Sequence, residues 1–258
     1  MLNISTRARA ETGDNALIGG FILGNGSASK QIVVRAIGPS LGARGVLTPL
    51  LDPSLQLFDS SGGLITSNND WATDLNAQAV IDAGLAPSDS REAAVSVDLA
   101  PDAYTVVVPG SDDPNNNIAL VEVYDVDSTV TPELLNISTR GFVDTDDGVM
   151  IAGVIVGGTI GKVIVARGLG PSLGTFVSNP LPNPTLTIVN ASGFAVASND
   201  DWQSDPAMND IINLGLAPTQ ALEAATEVTV APGAYTAVLS DTNGDTGIGL
   251  VEIYNVTP

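Results

Sequence analysis

Short runs of β-branched and aliphatic residues, separated by Gly, Pro, Asn and Asp, dominate the pattern along this chain. Runs of that length between turn-forming residues predict β-strands rather than helices. The pattern gives two sets of eight strands with similar spacing. The first set covers residues 2–8, 16–23, 31–37, 54–58, 63–67, 93–99, 103–109 and 117–124. The second set covers residues 135–141, 149–156, 162–168, 185–189, 194–198, 224–230, 234–240 and 247–254.

The similar spacing reflects an internal duplication. The segment Leu-Asn-Ile-Ser-Thr-Arg at 2–7 returns at 135–140, and Gly-Pro-Ser-Leu-Gly at 38–42 returns at 170–174. Further shared motifs follow in the same order, and only short deletions separate the copies. A repeat of this length, in which each copy holds a full set of strands, indicates two copies of one folded module.

We therefore expect two tandem modules, at residues 1–127 and 135–258, joined by a short polar linker at residues 128–134. Eight short strands in roughly 130 residues favour an antiparallel β-sandwich of jelly-roll type. Each module also contains one predicted short helix. In the second copy Asp205 is the expected cap of that helix and Gly215 its expected end.

The order of the shared motifs resembles a known kind of module. These motifs are Leu-Asn-Ile-Ser-Thr-Arg, Gly-Pro-Ser-Leu, Asn-x-Asp-Trp, Gly-Leu-Ala-Pro, Ala-Tyr-Thr and Val-Glu-Val-Tyr. Over nearly the whole chain they resemble a tandem module of large secreted proteins of environmental bacteria. Residues 57–71 and 101–105 also resemble bacterial pre-peptidase C-terminal β-sandwich domains. The resemblance implies a secreted, accessory and non-catalytic domain, and it carries over no catalytic residue.

Composition and charge exclude several kinds of partner and of catalytic site. The 29 acidic and 9 basic residues give a net charge of -20, which argues against nucleic acid as a partner, because phosphate binding needs clustered Lys and Arg. The chain has no Cys and no His. Thiol nucleophiles, Ser-His-Asp triads and nearly all zinc and haem sites are thereby excluded.

The sequence also bears on location. It shows no basic leader, no apolar leader segment and no apolar run long enough to span a membrane. Lys occurs only twice, acidic residues are abundant and Cys is absent. This composition is typical of an extracellular or cell-surface bacterial protein, and we expect no membrane insertion.

Basic residues are few, and six of the nine recur at equivalent positions of the two copies. Arg35 lies in the middle of a predicted strand, as does Glu122. We expect Arg35 or Arg7 to form an ion pair with Glu122 or Glu92 across strands. The alternative is an Arg that binds a carboxylate or sugar ligand. The equivalent residues of the second copy are Arg140, Arg167, Glu223 and Glu252.

The only tryptophans, Trp71 and Trp202, follow Asp70 and Asp201. An exposed Trp beside Asp and Asn favours carbohydrate binding, in which the ring stacks on a sugar face and the polar groups bind hydroxyls. The other interpretation is that each ring anchors a loop, with its N–H bonded to the backbone.

Calcium is the one metal that the composition permits, because it takes only oxygen ligands. Asp241, Asn243 and Asp245 supply such ligands at alternate positions, although Thr246 stands where an EF-hand loop needs Gly. A hairpin loop is the competing interpretation. A second candidate group consists of Asp59, Asn68 and Asp70.

These features favour a non-enzymatic extracellular structural or adhesive repeat protein. We expect such a protein to associate head-to-tail into filaments, in which the first strand or linker of one molecule docks through exposed strand edges on the last module of the next. For the assembly state, the competing interpretation is an elongated monomer whose edges are protected by Asp and Pro. The alternative is a carbohydrate-binding accessory module whose partners are surface glycans. A hydrolase that uses carboxylates alone is a third reading, for which no signature is visible.

Overall fold

The computed structural model describes residues 3–111, 113 and 115–257, apart from the side chains of residues 14 and 147. Antiparallel β-strands make up most of this part, which confirms the predicted all-β class. Residue 2, the start of the first predicted strand, lies outside the described residues.

The described part contains sixteen strands, whose boundaries lie no more than two residues from the predictions. The strands of the first copy are Asn3–Arg9 (β1), Leu17–Gly24 (β2), Lys30–Ile37 (β3), Leu55–Phe58 (β4), Leu64–Asn68 (β5), Ala93–Leu99 (β6), Ala103–Val108 (β7) and Ile118–Asp125 (β8). The strands of the second copy are Glu133–Val143 (β9), Met150–Val156 (β10), Lys162–Leu169 (β11), Pro184–Asn190 (β12), Ala195–Asn199 (β13), Ala224–Val230 (β14), Gly233–Asp241 (β15) and Gly247–Asn255 (β16).

The strands pair along two paths of eight. One path runs β6-β3-β8-β1-β10-β15-β12-β13, and the other runs β14-β11-β16-β9-β2-β7-β4-β5. Each path therefore contains four strands from each copy, and exchanging the copies converts one path into the other. The two paths meet at one residue pair, Arg9 of β1 and Phe142 of β9. The arrangement has the form of a pseudo-two-fold pairing between the copies.

The first strand of each copy joins the copies together. β1 lies between β8 of its own copy and β10 of the other, and β9 lies between β16 and β2 in the same way. Between these two strands, the buried hydroxyl groups of the equivalent residues Thr6 and Thr139 are 2.7 Å apart. Equivalent groups in direct contact lie close to the pseudo-two-fold axis.

Two expectations are corrected by this pairing. Neither the opening nor the closing strand of either copy is an exposed edge, because each of them has a hydrogen-bonded partner on both sides. The predicted linker at 128–134 ends inside β9, since Leu134 pairs with Leu23 and Glu133 with Gly24 of β2. Hydrophobic patterning locates a strand, but it does not identify the strand that pairs with it.

A single large hydrophobic cluster draws on both copies, with Ile4 and Phe21 from the first and Met150 and Ile253 from the second. Small residues let the two paths approach each other. A Cβ on Gly19 of β2 would lie 3.2 Å from Val121 of β8. The copies therefore share one core, and its burial stabilises the pairing between them.

Two short α-helices, Ala77–Asp82 (α1) and Met208–Asn213 (α2), lie at equivalent places, and the described part has no helix that is long and apolar enough to cross a membrane. α2 begins later than predicted, because the Asp205 carboxylate accepts a hydrogen bond from the Ala207 N–H in a turn before the helix. Gly215 ends it as predicted, with a positive φ of 71° and its N–H bonded to Ile212 O.

Candidate functional site

The candidate site is a mostly buried charged cluster on the outer face of β3 and β8. Arg35 and Glu122 are direct neighbours in the register of these strands. Arg35 Nε donates to Glu122 Oε2 at 2.9 Å, and Nη2 donates to the same oxygen. Tyr124 Oη donates to Glu122 Oε1 at 2.7 Å and accepts from Arg35 Nη2 at 3.1 Å. Arg35 is thus paired with Glu122, one of the two carboxylates considered for it.

The second copy contains the same cluster. Arg167 lies opposite Glu252 in the register of β11 and β16. Arg167 Nε donates to Glu252 Oε2 at 2.8 Å, and Tyr254 Oη donates to Oε1 at 2.8 Å. In each copy the guanidinium also lies over the tyrosine ring, at 5.1 Å for Tyr124 and 5.5 Å for Tyr254. The two copies therefore share the arginine–glutamate pair, the tyrosine–glutamate hydrogen bond and the arginine–tyrosine ring contact.

Each arginine also holds the end of a helix. Arg35 Nη1 donates to the Leu85 carbonyl at 2.7 Å, and Arg167 Nη1 donates to that of Leu216 at 3.0 Å. Leu85 follows Gly84, whose positive φ of 70° ends α1. The Leu85 N–H in turn bonds to Val80 O inside the helix. The arginine therefore links the outer face of the sheet to the Gly-Leu-Ala-Pro segment after the helix.

Glu92 and Glu223 have a different role from the predicted one. Glu92 is fully buried, and its Oε1 accepts from the N–H groups of Gly38 and Ser40 at 3.1 and 2.9 Å and from Ser40 Oγ at 2.6 Å. Glu223 makes the equivalent bonds to Gly170 and Ser172. Each carboxylate thus fixes the Gly-Pro-Ser-Leu-Gly turn, and backbone donors take the place of the predicted arginine.

Arg7 and Arg140 lie in the strands that join the copies. Arg7 of β1 is opposite Leu120 of β8 and Ile151 of β10. Arg140 of β9 is opposite Leu250 of β16 and Ile18 of β2. Both positions belong to the junction and not to the outer cluster.

The tryptophans anchor loops. Trp202 is only 9% exposed and packs against Val165 and Ile211, while the half-buried Trp71 packs against Val33 and Val80. Each indole N–H donates to a backbone carbonyl, at 3.2 Å for Trp71 and 3.1 Å for Trp202. The ring of Trp202 is therefore not presented for sugar stacking, because it is buried between α2 and the sheet.

Asp70 and Asp201 precede these rings, and their backbone carbonyl groups accept hydrogen bonds from asparagine side chains. Asn68 fixes this loop, because its Nδ2 donates to Asp70 O at 3.3 Å and its Oδ1 accepts from Ala94 N of β6 at 3.0 Å. Asn199 does the same for Asp201. Sequence reasoning missed this role of Asn, although the repeated Asn-x-Asp-Trp motif carried the signal.

The predicted calcium ligands form a hairpin loop. Asp241 Oδ1 accepts from the N–H groups of Asn243 at 2.8 Å and Asp245 at 3.2 Å, and Oδ2 accepts from Asn183 N at 2.8 Å. Both oxygens of Asp241 thus bind backbone donors of the turn. Within the described residues, no group of three or more acidic side chains is placed to hold a metal ion.

The second candidate calcium group is not brought together. Asp59 precedes β5, and Asn68 is its last residue, so they lie at opposite ends of that strand. A strand of five residues separates its ends by about 13 Å. Asp59 instead accepts from the Ser61 and Gly63 N–H groups within its own turn.

A cavity of about 390 Å³ lies beside the first cluster, and Arg35, Ser40, Arg44, Glu92 and Tyr124 are among the residues that line it. Arg35 and Glu92 are held by the hydrogen bonds described above. Catalysis by a carboxylate pair needs two carboxyl groups that can take up and release protons at a substrate. Here Glu122 is bound to an arginine and Glu92 to backbone donors.

The cluster tyrosines have shifted ionisation. Burial raises the pKa of Tyr254 to about 12, and the neighbouring Glu252 carboxylate adds to the shift. Burial and the Glu122 carboxylate raise the pKa of Tyr124 as well. Both phenols therefore remain neutral donors to their carboxylates at pH values where an exposed tyrosine, with a pKa near 10, begins to ionise.

Alkaline pH should therefore destabilise the protein through these two groups. Their folded pKa lies above the unfolded value, so their contribution is complete below about pH 10 and is lost as the pH rises toward the folded pKa. The double variant Tyr124→Phe, Tyr254→Phe should be less stable at neutral pH but lose less stability between pH 8 and 12. Urea unfolding across this range measures the slope. Identical slopes for the two proteins would contradict the assignment.

Comparison of the chain with protein-family models finds no match, and comparison with the curated proteins finds no significant match.

Proposed function

We propose that this chain is a non-enzymatic structural or adhesive protein of the cell exterior, built from two β-sandwich modules that dock into one unit. The observation that carries the proposal is the use of the duplicated polar residues. Arg35, Glu92 and Glu122 each bind other parts of the same module. In both copies these polar side chains bind residues of their own module, which supports a structural role. The acidic, Cys-free composition supports an exterior location.

Head-to-tail association remains part of the proposal, but its contact moves from the first strand to the outer strands. β13 ends one strand path in the second copy, and β5 ends the other path in the first copy. Leu64 and Ile65 of β5 are 56% and 38% exposed, and Val196 of β13 and the adjacent Phe194 are 39% and 70% exposed. Apolar side chains at both ends support a contact of one end with the opposite end of the next molecule.

Each outer strand pairs irregularly with its neighbour. The register between β4 and β5 shifts at Leu57/Phe58, and the register between β12 and β13 shifts at Ile188/Val189. Bulges of this kind protect a sheet edge from continuous pairing with another chain. We therefore propose that the contact uses the exposed side chains more than a continuous backbone ladder.

Light scattering and negative-stain microscopy of the full chain test the proposal. We expect concentration-dependent linear assemblies that the variant Phe194→Ser abolishes, because it removes apolar surface from one end. The matched control is Leu47→Ser, which removes an 84% exposed leucine from a loop elsewhere. Monomers at all concentrations, or equal effects of the two variants, would contradict assembly through the outer strands.

The alternative of a carbohydrate-binding module has a separate test. A glycan array would detect such binding, and the variants Asp70→Asn and Asp201→Asn would remove the carboxylates that the alternative requires. Glycan binding that both variants abolish would favour the alternative over a purely structural role.

A further inference from the structure

A cavity of about 510 Å³ lies between the two copies, beside the segment that connects β8 to β9. Both lysines of the chain, Lys30 and Lys162, line it, and they occupy equivalent positions at the starts of β3 and β11. A cavity of this size is within the range of small-molecule sites. In a chain with a net charge of -20, a cavity that collects both lysines is an unusual environment.

The first lysine is neutralised. Lys30 is 2% exposed, and its Nζ lies 2.7 Å from Asp125 Oδ2 and 2.9 Å from the Asp127 carbonyl. A buried ammonium group with a carboxylate at hydrogen-bond distance is neutralised by the protein. Lys30 therefore contributes to the wall of the cavity, and its charge is not available to a ligand.

The second lysine lacks the corresponding acid. The motif before Asp125 aligns with residues 251–254, so the equivalent of Asp125 is Asn255, which also lines the cavity. Within the described part of the chain, no carboxylate forms an ion pair with Lys162. Its positive charge is thus not held in a direct ion pair and lies in a partly enclosed space, where an anion interacts with it more strongly than in open water.

The other lining groups indicate what accompanies the anion. The hydroxyl groups of Thr129 and Thr131 and the amide of Asn255 can bind hydroxyl groups, and the partly exposed Val130 provides apolar surface next to the buried Val156 and Ile164. A carboxylate that carries several hydroxyl groups and C–H surface matches this combination.

We propose that the cavity binds a small hydroxylated carboxylate of the uronic-acid class, with Lys162 as the partner of the carboxylate. The site is independent of the duplicated arginine cluster, which lies on the outer face of the sheets. The two lysines of this cavity differ in their surroundings, because Asp125 of the first copy corresponds to Asn255 of the second.

Isothermal titration calorimetry and amide NMR titration of the full chain with D-glucuronate test the proposal, with D-glucose as the neutral control. We expect saturable binding of glucuronate, with shifts at Val156 and Ile164, and at least about tenfold weaker binding of glucose. Oligogalacturonate, as a second probe, distinguishes the end of an acidic polysaccharide from a free sugar acid. No saturable binding of either acidic probe at tens of millimolar would overturn the proposal.

Two variants test the role of the charge. Lys162→Met removes the ammonium group, and Asn255→Asp restores the acid of the first copy while keeping an oxygen that can accept the Thr257 N–H. Both should weaken glucuronate binding about tenfold or more. Arg44→Met is the control, since it removes one positive charge at an exposed position that does not line this cavity. Unchanged binding in Asn255→Asp, or equal loss in Arg44→Met, would overturn the proposal.

Glu133, an exposed acid that also lines the cavity, gives a test of opposite sign. Glu133→Gln removes a negative charge near the bound carboxylate, so we expect tighter binding of glucuronate and no change for glucose. Because the expected effect is a gain, a folding defect cannot imitate it. Weaker binding of glucuronate in this variant would contradict an anion at this place.

Discussion

Residues 1–132, produced without the second copy, should form a dimer rather than a folded monomer. In this fragment β1 lacks its neighbour β10 and β2 lacks its neighbour β9. The shared core around Ile4 and Phe21 is then exposed to solvent. Each large side chain that becomes exposed costs about 1.5–3 kcal/mol, and a domain of this size has a total stability of only about 5–15 kcal/mol. The monomer therefore has too little stabilisation of its own.

A dimer is expected because the two copies pair about a pseudo-two-fold axis. A second molecule of the fragment can offer its own β1 and β2 to the edges left free, just as the second copy does in the intact chain. Sedimentation and thermal unfolding measure the result. Adding residues 133–258 should convert the fragment into a one-to-one complex, and a cooperatively folded monomer of residues 1–132 would contradict the shared core.

Gly38→Ala should destabilise the protein by about 3 kcal/mol or more, and Gly170→Ala should do the same. A Cβ on Gly38 would lie 2.0 Å from the carbonyl oxygen of Leu50, and one on Gly170 would lie 2.1 Å from that of Leu181. Backbone atoms cannot move aside as a flexible side chain can. The clash would displace the turn that Glu92 or Glu223 holds from inside the protein.

Gly42→Ala and Gly174→Ala are matched controls within the same turns. A Cβ at these positions would meet Pro49 at 3.9 Å and Pro180 at 3.6 Å, which are ordinary contact distances. Their unfolding free energies should stay within about 1 kcal/mol of the parent protein. Denaturant unfolding of the four variants gives the comparison, and equal losses at Gly38 and Gly42 would contradict the clash.

The candidate site could be predicted only in part. Arg35 and Glu122 were both recognisable as charged residues in the middle of strands, but their pairing depends on the register of β3 and β8. Glu92 was expected to pair with an arginine, and it binds the backbone of a turn 52 residues away from it in sequence. A carboxylate has the same appearance in a sequence whether its donors are side chains or peptide groups, because peptide groups are present everywhere.

The tryptophans show the same limit. The Asn-x-Asp-Trp motif is compatible with an exposed platform and with a loop anchor, and the burial of Trp202 under α2 decides for the anchor. That burial depends on where the helix lies relative to β11 and β14. A local sequence pattern does not predict how separate elements pack against one another.

By itself the sequence determined the duplication, the all-β class, the sixteen strands of the described residues and the glycine that ends α2. These features follow from local rules, namely the run length of apolar residues, the turn-forming residues between them and the backbone freedom of Gly215. Only the tertiary structure decided that the first strand of each copy pairs with the other copy, and which partners each charged group has. Strand pairing and ion pairing join residues that are far apart in the chain. Alternation of apolar and polar residues determines which face of a strand is buried, but it does not determine which strand pairs with it.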